Sequence, residues 1–262
     1  MKILTSATPL LLPLTFAALL AGTQAQAHQF WIEPTANGTM LQFGEFADNV
    51  RETAPGLLDS LGQPSAVQID ADGERALTLK KTRQGYTLST SINGSNALAG
   101  ALAGAPAGAP ASASIIAEDS HYPVSTDHSS GAPIRWAYTP AARSITDLAK
   151  RPATLAFDIV PTGKKGQFQV TLGGKPMPKI KVVAAVPAGW TRQAQSDADG
   201  NVSFALPWRG MYVIEAVHDD KSGGERGGKE YDIASYSTSL SFVQGAGIAA
   251  LPAPPTIMPA TK

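Results

Sequence analysis

Hydrophobic positions between residues 29 and 92 fall in short runs broken by turn residues, a pattern that builds strands rather than helices. The runs are 29–33, 39–46, 66–69, 76–80 and 86–92. Asn37-Gly38, Asp70-Ala71-Asp72-Gly73 and Gln84-Gly85 punctuate them as turns. One stretch, 51–61, departs from this pattern. Leu57, Leu58 and Leu61 have helical spacing there, but Pro55-Gly56 limits any helix to a turn or two. Beyond residue 150 the runs are 153–160, 167–172, 179–186, 191–195, 202–206, 211–218 and 235–243. Phe168, Val170 and Leu172 alternate with Gln167, Gln169 and Thr171, as on a strand with one buried face. Short strands spaced by roughly 8–12 residues predict an immunoglobulin-like or transthyretin-like sandwich. A helix-like stretch over 144–150 stops at Lys150-Arg151-Pro152 and places a boundary there. The expected protein is mainly β, with two β-sandwich-like domains at 28–150 and 151–244.

Three segments fall outside that scheme. Residues 97–114 (ALAGALAGAPAGAPASAS) carry no charge and little apolar bulk, which predicts a flexible insertion. Residues 245–262, rich in alanine and proline, predict a disordered tail. At the other end, Met1-Lys2, an apolar stretch from Leu10 to Leu20 and Ala25-Gln26-Ala27 have the form of a secretory signal cleaved after residue 27. The apolar stretch is well short of the roughly 20 residues of a membrane span. The expected mature chain starts at His28, is periplasmic and does not insert in a membrane.

Composition removes several function classes. Lys and Arg number 21 and so do Asp and Glu, so the chain has no basic field for nucleic acid. The absence of cysteine rules out disulfides, thiolate metal ligands and a cysteine nucleophile. A transition metal would have to be held by nitrogen, oxygen or thioether sulfur.

Cleavage before His28 would place an imidazole and a free α-amine on one residue. Together they form a chelate suited to Cu(II) or Ni(II). Otherwise His28 is simply the residue that cleavage leaves. His218 follows an apolar run and precedes Asp219-Asp220, which fits either a ligand or an exposed loop histidine. His121 and His128 lie in the polar segment EDSHYPVSTDHSSG, where a solvated loop is the plainer reading. Asp197-Ala198-Asp199-Gly200 starts like a calcium loop, but its glycine is misplaced and Trp208 stands where the glutamate belongs, so it reads as a hairpin turn. No nucleophile elbow or phosphate-binding glycine motif occurs, and no catalytic or cofactor-binding residue is assigned. Trp31, Trp136, Trp190 and Trp208 would serve a glycan platform only if they lay outside the core.

Taken in order, AHQFWIEP, FGEFADNVRETAPGLLDSLG, FDIVPTGKKGQFQVTLGGKPMPKIKVVA, SDADGNVSFALPWRGMYVIEAVHDD and YSTSLSFV resemble a bacterial periplasmic family. That family is labelled a domain of unknown function and is described as the periplasmic component of cobalt or nickel transport (NikM-like). The resemblance implies a soluble periplasmic accessory protein connected with a divalent metal, nickel or cobalt, beside a membrane transporter, and the His28 chelate adds copper as a candidate. It matches His28 to the histidine before the Trp-x-x-Pro segment, and His218 to the end of a late strand. Metal binding or delivery is the leading expectation. The alternatives are a non-enzymatic module for protein or glycan binding, and a copper-dependent oxidative enzyme built on the N-terminal histidine.

Overall fold

A computed structural model describes residues 28–36, 38–90, 112–129 and 131–259. The expected signal at 1–27, Asn37, the end of the 86–92 run and most of the alanine-rich insertion lie outside the described residues. In chain order the strands of the first half are β1 (Gln29–Thr35), β2 (Gly38–Glu45), β3 (Val50–Arg51), β4 (Ser65–Asp70), β5 (Gly73–Thr82), β6 (Gly85–Thr90), β7 (Ser114–Glu118), β8 (Ser125–Asp127) and β9 (Ile134–Ile145). The second half adds β10 (Phe157–Pro161), β11 (Gln167–Leu172), β12 (Lys175–Pro176), β13 (Lys181–Ala185), β14 (Thr191–Gln195), β15 (Asn201–Ser203), β16 (Gly210–Asp220), β17 (Gly224–Arg226), β18 (Lys229–Tyr231) and β19 (Ile233–Gln244). The 51–61 stretch yields one 3-10 turn, Leu57–Ser60. The expected helix-like 144–150 stretch instead completes β9 and then bends.

Both halves share one sheet, in the order β1-β2-β6-β5-β4-β7-β9-β19-β16-β13-β14. The junction is the parallel pair β9–β19, from Ile233 opposite Trp136 to Ser241 opposite Ser144. A second sheet of β10, β11, β12 and β15 covers the C-terminal end of the first. Phe157, Ile159, Phe168, Val170, Tyr212, Ile214, Leu240 and Phe242 fill the space between them. In the N-terminal half the sheet curls around Phe30, Ile32, Leu41, Phe43, Leu58, Leu77, Leu88 and Ile115. Trp31, Phe46, Ala185 and Val213 form a smaller cluster where the halves meet.

The curl is closed by side chains. β1 ends the sheet path and turns one backbone edge toward β19. A buried strand edge with unpaired groups is costly. β19 meets it with alternate hydroxyls: Ser239 donates to the Phe30 carbonyl at 2.6 Å, and Ser241 accepts from Ile32 N–H at 3.4 Å. The opposite face of β19 presents Tyr236, Leu240 and Phe242 to the C-terminal core. Strict alternation therefore lets one strand serve a polar seam and an apolar core. Across the expected boundary at 150, Arg143 of β9 pairs with Asp158 of β10 at 2.6 Å, and both side chains are buried. Asp158 also accepts Thr154 N–H and Leu155 N–H, so its lone pairs are well used.

The segment expected as a disordered tail is described through residue 259 and pairs with both halves. Ile248 exchanges backbone bonds with Pro207 and Arg209, and Ile257 does so with Asn49 and Arg51. The strap thus bridges both halves. It is held by backbone pairing and by the Asn49 side chain, which donates to the Pro254 carbonyl at 2.6 Å, while Ile248, Leu251, Ile257 and Met258 remain largely exposed.

Candidate functional site

His28 sits just before β1. The β1–β2 register sets Gln29 opposite Gly44, so His28 comes beside Glu45 at the end of β2. Leu41 and Phe43 share that face of β2 with Glu45, which leaves Met40 and Gln42 on the other. Gly44 makes the crowding possible. At φ 147° it adopts a backbone that disfavours side chains, and a Cβ there would fall 2.3 Å from the Val50 carbonyl oxygen. β3 can therefore fold tightly onto β2, and Glu52 N–H bonds the Phe43 carbonyl at 2.8 Å. The result brings His28, Glu45 and Glu52 together from three neighbouring strand ends.

Glu52 is buried, and its Oε1 lies 2.7 Å from His28 Nε2. Where Glu52 is a carboxylate it only accepts, and Nε2 then carries the proton. In the neutral ring Nδ1 is then left with a lone pair. On that side, Glu45 Oε1 stands 4.0 Å from Nδ1. The His28 ring also rests against Phe43, with centroids 5.7 Å apart. Its carbonyl accepts the Tyr138 hydroxyl, which is linked in turn to Ser237 of β19 at 2.5 Å. Backbone, ring and Nε2 are all fixed, and Nδ1 is the atom left available.

The next residue faces the other way. Gln29 donates to the buried carboxyl of Glu215 on β16. Burial raises the Glu215 pKa to about 7; the Gln29 bond opposes the rise, and the charges of Asp48 and Glu45 add to it. Arg51, the nearby cation, is committed to Glu33 at 3.0 Å and to Asn49, and it lies over the Trp31 ring. Glu45, beside His28, and Asp48 both act on Glu215 through their charge.

The other histidines do not join it. His218 belongs to the face of β16 that carries Ile214 and Ala216, and its ring packs on Phe157 at 5.9 Å. Glu215 occupies the opposite face, so β16 stands between His218 and the His28 side. His121 is exposed and contacts Ser120, and His128 is exposed beside Asp127. Among the described residues, no three His, Asp or Glu side chains form a ready metal-holding group. Trp31 is fully buried, and Trp190 and Trp208 pack on the C-terminal core, so three of the tryptophans are structural.

Sequence reading singled out His28 but passed over Glu45, Glu52, Tyr138 and Glu215. A signal for Glu45 did exist: it continues the alternation of Leu41 and Phe43, placing a carboxylate at the end of an apolar face.

A mainly β protein whose two halves share one sheet, with a histidine clamped at the start of the first strand, defines the class. Over residues 25–220 the chain matches the family described as Domain of unknown function (DUF4198), and it belongs to that family. No curated protein and no solved structure matches it. The family match ends with β16, so the central strand β19 lies beyond it. Among the described residues no helix is long and apolar enough to cross a membrane.

Proposed function

We propose that this protein binds a divalent transition metal for delivery, in the periplasm and beside an uptake transporter, through the amine and Nδ1 of a processed N-terminal His28. The observation that carries this reading is the 2.7 Å bond from Nε2 to buried Glu52. Outer carboxylates of this kind commonly fix the tautomer of metal-binding histidines and raise their basicity. Here the bond reserves Nδ1, the ring nitrogen nearest the α-amine, for the ion. The resemblance to proteins described with cobalt and nickel transport supports the choice of cargo.

The test is calorimetric titration of exported protein whose N-terminus is verified by mass. A form with one extra residue before His28, and His28→Ala, serve as controls. Nickel or copper is expected to bind the native terminus and to lose at least about tenfold in affinity with either control, in line with the loss of supporting groups at metal sites. Equal affinity in all three forms would refute the assignment. A second reading, docking to a protein partner, is favoured by the exposed apolar row on the strap (Ile248, Leu251, Ile257 and Met258). Co-purification of a partner with metal-free protein would support it.

A further inference from the structure

Resting on the metal reading above, we infer that Glu45 is the third protein donor to the ion and that the site is built for a divalent cation with a nitrogen and oxygen set.

The separation of 4.0 Å between Glu45 Oε1 and His28 Nδ1 is too long for a hydrogen bond. It matches two metal–ligand bonds of about 2.0–2.2 Å each when the two donors lie on opposite sides of the ion, as in a planar site. Glu45 makes no hydrogen bond with the described residues, and about three-quarters of its side chain is covered. A carboxylate so placed has lost much of its water without gaining a donor. The surrounding charge sharpens the point. Glu45 and Asp48 both act on Glu215 through their charge, while Arg51 is turned away to Glu33 and Asn49. A bound cation supplies the charge that this face lacks.

The donor set also selects among metals. The chain has no cysteine. Met40 projects from the opposite face of β2. Met211 packs beside Trp31 and Phe46, and Met177 against the C-terminal core. With amine, imidazole and carboxylate donors and no soft sulfur, the site suits Cu(II) and Ni(II) and disfavours Cu(I).

The experiment compares wild-type protein, Glu45→Gln and Glu52→Gln, each with a verified His28 terminus. Cu(II) and Ni(II) affinities are read by calorimetry, and the electron paramagnetic resonance spectrum of the Cu(II) form is recorded. Glu45→Gln removes a direct donor, so it is expected to lower affinity by at least about 100-fold, beyond what lost supporting groups cost, and to change the copper hyperfine pattern. Glu52→Gln keeps an acceptor for Nε2–H, so it should lose less affinity and leave that pattern nearly intact. Thermal unfolding of the metal-free variants identifies any loss caused by misfolding. Wild-type binding with unchanged affinity and spectrum in Glu45→Gln overturns this inference and leaves the His28 assignment standing. Absence of wild-type binding overturns both.

Discussion

Glu215 carries a stability cost that depends on pH. Burial lifts its carboxyl to about 7, against the donation from Gln29 and with help from Asp48 and Glu45. An unfolded glutamate titrates near 4.3. The native state therefore holds a proton that the unfolded state has released between those values, and stability falls as pH rises through the interval. The penalty is absent below the unfolded value and complete above about 7. A shift of this size corresponds to roughly 3–4 kcal/mol. Glu215→Gln keeps an acceptor for Gln29 and is expected to stabilise the protein at pH 8 by up to that amount. It should have little effect at pH 4, and urea melts at the two pH values will decide. At this scale the sequence disclosed His28 through its position after a cleavage motif. It did not disclose Glu45 or Glu52, because their meaning comes from the register of β1 and β2 and from the Gly44 fold-back, which no local spacing encodes.

Single strands and straps show which patterns were readable. β11 and β14 match their expected bounds because each has clear turn residues at its ends. β9 was missed. Its residues from Pro140 to Ile145 are all buried, so the polar and apolar alternation that announces a half-exposed strand is absent. The serines of β19 alternate visibly, yet only the structure shows what they satisfy. Ser239→Ala strands the buried Phe30 carbonyl and is expected to cost about 1–3 kcal/mol in a denaturant melt. The C-terminal strap behaves differently. Its largely exposed apolar side chains contribute little burial, so its attachment rests on a few hydrogen bonds, each worth about 1 kcal/mol net. Deleting residues 246–262 should expose the Arg51 and Arg209 amides to hydrogen exchange and lower stability by about 2 kcal/mol, with the sheet intact.

For the whole molecule, the mainly β class was legible in composition and turn spacing, whereas the junction of the halves was not. Strands separated by most of the second half pair in parallel at β9–β19, and sequence patterns report neighbours rather than such distant partners. The consequence is shared stability. Removing one member of the buried Arg143–Asp158 pair, as in Asp158→Ala, leaves an uncompensated charge in the interior and should cost about 3–5 kcal/mol. Tryptophan fluorescence and circular dichroism should follow one coincident transition in wild type. A fragment ending at residue 150 lacks β19, which pairs with β9 and covers β1, and it is expected to lack a cooperative melt.

The place of β19 also governs the order in which the fold can close. A chain delivered from its N-terminus, by a ribosome or through a translocation channel, presents β9 and β16 before the strand that joins them. Until residue 233 emerges, both strands keep an open edge and β1 lacks its hydroxyl cover. Such non-local closure is slow, and open edges invite association with other chains. The N-terminal half cannot complete its closure before β19 is available.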